Sequence, residues 1–179
     1  DGSLSANLLE KHKYKFVVLP MNSRVSPKLA IVLKELIVSG GKIFSIYKLD
    51  KNVAQLIGVK PIGWIREEND GQFAEIRFPG RLGLPSSMKQ ASWNITVAEP
   101  IGNRSHVFGI WYDSEGNPSK YPAMILGQYG AFFSHLILND DFVQKQQMLA
   151  AVVGQFFPKM HQAIAKHLIG DTMRIGHFT

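Results

Sequence analysis

Few residues in this chain could do chemistry, and each also has a plainer structural reading. His135 lies inside the apolar run Phe132-Phe133-Ser134-His135-Leu136-Ile137-Leu138. A histidine there is either a hydrogen-bonded core residue or a general base, and the apolar surroundings favour the core. Ser134 is its chain neighbour, but successive strand residues point to opposite faces, so the two do not make a nucleophile–base pair. Asp140 and Asp141 have the ligand type for a metal. Standing just ahead of a helical pattern, they are read instead as carboxylates that accept free helix amides and meet the positive helix end. His161 and His167 are six residues apart, about 240° around a helix, and do not share a metal as an i, i+4 pair does. Trp64, Trp93 and Trp111 could stack on sugar rings; all three fall in strand-like runs and are read as core.

Other chemistry is missing by composition or motif. The chain has no cysteine, which removes thiol nucleophiles, thiolate metal sites and disulfides together. No GxxxxGK[ST], GxGxxG, HExxH, GxSxG or calcium-loop pattern occurs, and the glycine-containing stretch 80–84 has no phosphate-loop pattern. No metal and no cofactor are expected. Two N-x-[ST] triplets stand at Asn94-Ile95-Thr96 and Asn103-Arg104-Ser105; they matter only in a host that glycosylates exported proteins.

The elements that must position these residues follow from local pattern. The apolar run within 13–20 suits a strand buried on both faces. Asn22, Ser23 and Arg24 follow in a loop. Ser26 and Pro27 then give a hydroxyl cap and a proline at the first helical position. Leu29, Val32, Leu33, Leu36 and Ile37 share one helical face, Gly40-Gly41 ends the helix, and 42–47 reads as a second strand. This is a βαβ unit with parallel pairing. Asp50 caps a short helix closed by Gly58. From 61 to about 129, short β-like runs at 62–65, 73–78, 93–97, 107–112 and 123–126 indicate antiparallel strands, with a turn at 115–118. Residues 131–138 read as another apolar strand. A helix carrying Val143, Leu149, Val152, Val153, Phe156 and Phe157 follows, and a second with Met160, Ile164 and Leu168 lies beyond Pro158. In an open α/β sheet a ligand sits beyond the carboxyl ends of the strands. That edge should bring together Asn22, Ser23 and Arg24, the turn at 47–51, and Asn139, Asp140 and Asp141. The first three could hold a polar ligand or a carboxylate, although an ordinary βα loop is the simpler reading.

The bulk properties narrow the partners. The chain has 179 residues, 45% of them hydrophobic, enough for one domain with a substantial core. Only 19% are charged, below the roughly 25% usual for soluble proteins, so part of the surface is expected to be uncharged or covered by another domain or subunit. The net charge is +6, but the basic residues are scattered. Their densest cluster, Lys11, His12, Lys13 and Lys15, is read as a solvated face, and no nucleic-acid partner is expected. Apolar stretches stop short of about 18 residues, so no membrane span is expected either.

Several segments, taken in order, carry a family resemblance. They are Tyr14-Lys15-Phe16-Val17-Val18-Leu19-Pro20, the helix 26–38 with Ser39-Gly40-Gly41-Lys42-Ile43, Leu56-Ile57-Gly58-Val59, Pro122-Ala123, Gly127-Gln128-Tyr129-Gly130, Ser134-His135-Leu136-Ile137-Leu138-Asn139-Asp140-Asp141, and the helix 145–153. Together they resemble the glutamine-amidotransferase-like domain that accompanies glycoside hydrolases, as in the β-galactosidase trimerisation domain and family-10-like glycosyl hydrolases. The resemblance implies a flavodoxin-like, mostly parallel sheet flanked by helices, with an inserted antiparallel section. It also implies a non-catalytic accessory or assembly role, the partner being the catalytic domain of the same parent protein or identical subunits. Active amidotransferases use a Cys-His-Glu triad with the cysteine at a sharp turn after a strand. Here cysteine is absent and His135 is followed by Leu-Ile-Leu where an active relative has Pro-Glu. Glutaminase activity is not expected, and His135 is at most a relic of the base. Relatives carry a further strand–helix–strand ahead of the first segment, whereas thirteen residues precede Tyr14; residues 1–179 are therefore expected to be one domain of a longer protein. The alternatives are a small hydrolase using His135, or a sugar-binding module with carbohydrate as partner at the strand-end crevice.

Overall fold

The structure, a computed structural model, describes residues 8, 13–80 and 83–159. The expected helix with Met160, Ile164 and Leu168, the pair His161 and His167, and Lys11 and His12 of the basic cluster lie outside the described residues. So do residues 81–82 of the glycine-containing stretch.

Local signals in the first third are obeyed closely. β1 (Phe16–Pro20) leads to α1 (Pro27–Val38), where Ser26 Oγ accepts the Leu29 amide at 3.2 Å and Pro27 opens the helix. β2 (Lys42–Ile46) follows and pairs parallel with β1, completing the βαβ unit. The Asp50 carboxylate accepts the Asn52 and Val53 amides at the start of α2 (Lys51–Ile57), and Gly58 ends it at φ 77°. The same carboxylate takes the Val25 amide at 3.1 Å, tying the two helix starts together.

The chain then becomes predominantly β. β3 (Val59–Arg66) pairs antiparallel with β6 (Asn94–Pro100) as a separate two-stranded sheet. β4 (Glu75–Arg77), β5 (Ser87–Lys89), β7 (Ser105–Tyr112), β8 (Pro118–Gly127) and β9 (Gly130–Phe133) join β1 and β2 in a seven-stranded sheet, in the order β1-β2-β9-β8-β7-β4-β5. α3 (Phe142–Phe156) closes the described chain.

Within that sheet β1–β2 and β2–β9 are parallel, while β9–β8, β8–β7, β7–β4 and β4–β5 are antiparallel. The fold is therefore mixed α/β with a mostly antiparallel sheet, which corrects the expectation of a mostly parallel, flavodoxin-like one. The physical reason is the tight β8–β9 connection through Gln128 and Tyr129. A hairpin lays β9 beside β2 without the helical crossover that a parallel neighbour needs. The segment expected as an antiparallel insertion thus forms most of the sheet.

Strands β2 and β9 are covered on both faces, as their unbroken apolar runs require. Ile43 and Phe132 pack with Leu33, Leu36, Val53 and Ile57 of α1 and α2. Phe44 and Phe133 pack on the opposite side with Met148 and Val152 of α3 and with Trp111. The β8–β9 hairpin sits close under α2. A methyl group at Gly127 would overlap the Ile57 carbonyl oxygen, so only glycine fits there.

Candidate functional site

At the carboxyl end of β2 the chain turns through Tyr47, a non-glycine residue at φ 64°. Its amide donates to the Phe133 carbonyl at 2.7 Å, which seats the turn across the end of β9. The strand β9 stops at Phe133 rather than running to 138 as expected. Ser134 and His135 continue in irregular backbone, because the buried Gln90 binds the following segment: its amide donates to the Leu136 carbonyl (2.7 Å) and its carbonyl accepts the Leu138 amide (3.4 Å). His135 consequently lies beside Tyr47.

His135 is 1% exposed. Its Nδ1 is 3.0 Å from the Leu136 carbonyl and 3.2 Å from Gln90 Nε2. The shorter contact sets the tautomer: Nδ1–H donates to Leu136 O, the Gln90 amide donates to Leu136 O and Ser92 Oγ (3.3 Å), and the longer Gln90 Nε2–Nδ1 approach is then a contact between two donors. Nε2 is then a lone-pair nitrogen with no hydrogen-bond partner among the described residues. Burial lowers the pKa of the ring, the Leu136 carbonyl works against that, and the Lys145 charge adds to the lowering, so the imidazole is neutral at pH 7. The rings of Tyr47 and Trp93 meet it edge to face, with centroids 5.3 and 5.2 Å away.

The strand pair β3–β6 supplies the other wall. Asn94 is 6% exposed, and its Oδ1 accepts the Tyr47 hydroxyl at 2.7 Å and the Trp64 indole N–H at 3.3 Å. That N–H also reaches the Tyr47 oxygen at 3.1 Å. An indole N–H can only donate, which fixes the orientation of the amide and leaves Asn94 Nδ2 without a partner among the described residues. The triplet at Asn94 is therefore buried, while Asn103 is exposed. Trp64 and Trp93 are 51% and 49% exposed. This corrects the reading of all three tryptophans as core, which holds only for Trp111, whose N–H donates to Ser134 Oγ at 2.8 Å. Ser134 is occupied there, consistent with its failure to pair with His135.

The remaining candidates are dispersed. Asn22 is half-buried and Ser23 and Arg24 are exposed in the loop after β1, and no hydrogen bond or ion pair joins them to the His135 cluster. Asn139 is exposed. Asp140 and Asp141 do not cap α3. Asp141 occupies the cap position at φ 50° and makes no side-chain bond to the helix. Its carboxylate instead accepts the Lys89 amide at 2.7 Å, and that of Asp140 accepts the Ala91 amide at 3.4 Å and pairs with the buried Lys145. Lys145 Nζ also donates to the Leu138 carbonyl at 2.9 Å. Burial acts to raise the Asp140 pKa, but the Lys145 bond and charge outweigh it and hold the carboxyl below its ordinary value. Among the described residues no group of three or more histidine or acidic side chains could hold a metal, and no helix is long and apolar enough to cross a membrane.

A groove of about 400 Å³ lies between α1 and α2, lined by Ala30, Ile31, Lys34, Asn52, Gln55 and Leu56; it contains none of the candidate residues.

No protein-family model matches the chain, and no curated protein matches it in sequence. Solved structures do match. A β-galactosidase from Bacillus circulans sp. alkalophilus superposes with TM-score 0.62 at 17% identity, over 82% of this chain and 23% of that one. The α-L-fucosidase isoenzyme 2 from Paenibacillus thiaminolyticus gives TM-score 0.60 at 12% identity, over 80% of this chain and 25% of that one. The mmIFT52 N-terminal domain gives 0.61 at 11%, over 87% and 84%. At these identities the likeness establishes the fold. The chain spans about a quarter of the length of the galactosidase and fucosidase structures, so it is similar in fold to domains of larger glycoside hydrolases.

Proposed function

We propose that this chain is a non-catalytic accessory or assembly domain of a carbohydrate-active protein, on an amidotransferase-like scaffold that has lost its nucleophile. The observation that carries the reading is the identity of the residue facing His135. In the resembling active domains a cysteine stands at a sharp turn after a strand. Here the sharp turn after β2 holds Tyr47, whose hydroxyl is engaged by Asn94 and Trp64. Among the described residues His135 has no bonded carboxylate, and no thiol or hydroxyl is hydrogen-bonded to its ring. The partner on this reading is a catalytic domain of the same polypeptide or an identical subunit, and residues 1–179 are one domain of that longer protein. Similarity to a minor part of a galactosidase and of a fucosidase supports it.

The test is the mass of the native polypeptide, read by immunoblot of source-cell extract with antibodies raised against this domain. A band far above the 20.0 kDa of the chain is expected. A band at that mass overturns the accessory reading.

A further inference from the structure

We propose that Trp64 and Trp93 form a platform for pyranose rings of an oligosaccharide, with Asn94 Nδ2 and His135 Nε2 as its hydrogen-bonding pair. Buried polar atoms in folded proteins nearly always have partners. Asn94 and His135 are each more than nine-tenths buried, and each has one polar atom without a partner among the described residues. Both atoms belong to one cluster. Tyr47 links them, its hydroxyl 2.7 Å from Asn94 Oδ1 and its ring 5.3 Å from that of His135.

The two unpaired atoms are complementary to each other in kind. Asn94 Nδ2 is a donor, and His135 Nε2 in its assigned tautomer is an acceptor. A sugar hydroxyl both accepts and donates, so the hydroxyls of one saccharide match both atoms in kind. The flanking indoles are half exposed although tryptophan is usually well buried. An indole face offers a flat apolar surface to the C–H face of a pyranose. The indole N–H of Trp64 is already spent on Asn94 and Tyr47, which fixes the ring before any ligand arrives.

The chemistry disfavours other occupants. The cluster has no cationic side chain of its own; Lys48 Nζ lies 4.7 Å from the Tyr47 ring centroid, and the Lys145 charge felt at His135 is paired with Asp140. A phosphate backbone needs several cations along its track. A purely apolar partner would leave the buried Asn94 and His135 atoms unpaired. The site operates whether or not the chain is joined to a catalytic domain, so its failure and that of the accessory reading are separable.

The experiment uses the 15N-labelled chain, whose three tryptophans give three indole N–H signals. Cellohexaose, xylohexaose, a β-galactan hexamer and an oligogalacturonate are titrated to millimolar concentration. The expected result is that at least one of these saccharides shifts the Trp64 and Trp93 signals and leaves that of the buried Trp111 in place. Preference for the galacturonate would locate Lys48 at the rim of the same site. Trp93→Ala should weaken binding about tenfold or more. Asn94→Asp keeps the acceptor for Tyr47 and Trp64 but removes the donor, and should weaken it comparably with the Trp111 signal unmoved. Indole signals that stay still throughout the panel overturn the proposal. So does binding that survives both substitutions, or a response to oligothymidylate with none to any saccharide.

Discussion

The rings of Tyr47 and His135 stand 5.3 Å apart at 63°, across the parallel pair formed by β2 and β9. Each occupies the first irregular stretch beyond its strand, and the Tyr47 amide is bonded to the last residue of β9. The pair therefore reports on both strand ends together, and on the aromatic cluster built over them.

Tyr47→Phe removes the hydroxyl that donates to Asn94 and accepts from Trp64. Asn94 keeps only the longer indole bond. The expected loss is about 1–2 kcal/mol, the cost of an under-satisfied buried group. Urea denaturation should show a lower midpoint with an unchanged slope.

Acid should act on stability through His135 before it acts through the carboxylates. The folded pKa is lowered from 6.5, so the unfolded chain binds the proton more readily. The contribution of the neutral ring is complete above about pH 6.5 and is lost as pH falls from there toward the folded pKa, at up to roughly 1.4 kcal/mol per unit. His135→Gln should flatten the stability curve in that window and leave the steeper fall below about pH 4 intact. An unchanged curve would show that the ring is not buried neutral.

Lys145 and Asp140 should respond asymmetrically to mutation. Lys145→Met removes the charge along with its partner bonds and leaves a carboxylate that solvent can reach, at a cost of about 1 kcal/mol. Asp140→Asn leaves a 97%-buried ammonium with the Leu138 carbonyl as its remaining partner and should cost about 2–3 kcal/mol. Thermal midpoints of the two variants give the order directly.

Gly127→Ala forces a methyl group against the Ile57 carbonyl oxygen at the end of α2. Backbone cannot yield as a side-chain tip does, so about 1–3 kcal/mol of destabilisation is expected. Hydrogen exchange should show faster opening of α2 and the β8–β9 hairpin than of α3.

The parts of the fold legible in the sequence are those decided within a few residues. Ser26, Asp50 and Gly58 each act as helix caps on amides or carbonyls no more than four positions away, as their residue types predict, while the further bond from the Val25 amide to Asp50 is not local and carries no sequence signal. Sheet direction is not local. Whether β9 would meet β2 from a crossover or from a hairpin depends on a pairing between segments about 87 residues apart, and the apolar run at 131–138 looks the same either way. The site divides similarly. His135 stands out as a polar residue in an apolar run. Tyr47 carries no sign of its φ, Asn94 shows only as part of a triplet, and membership of a strand does not reveal which face Trp64 and Trp93 present. The aspartates look like helix caps in the sequence because their actual partners, the Lys89 and Ala91 amides, lie about 50 positions away.

Those two amides have a meaning of their own. The Gln90 amide points inward to Ala74 on the β4 side, so the Lys89 and Ala91 amides point outward from β5, the last strand of its sheet. Open outward amides on a terminal strand are a template on which another chain can polymerise. Asp140 and Asp141 occupy them, closing the border of the sheet with carboxylates where a further strand would dock. Strand-by-strand growth at this border is thereby opposed by two carboxylates contributed from about 50 positions farther along the chain.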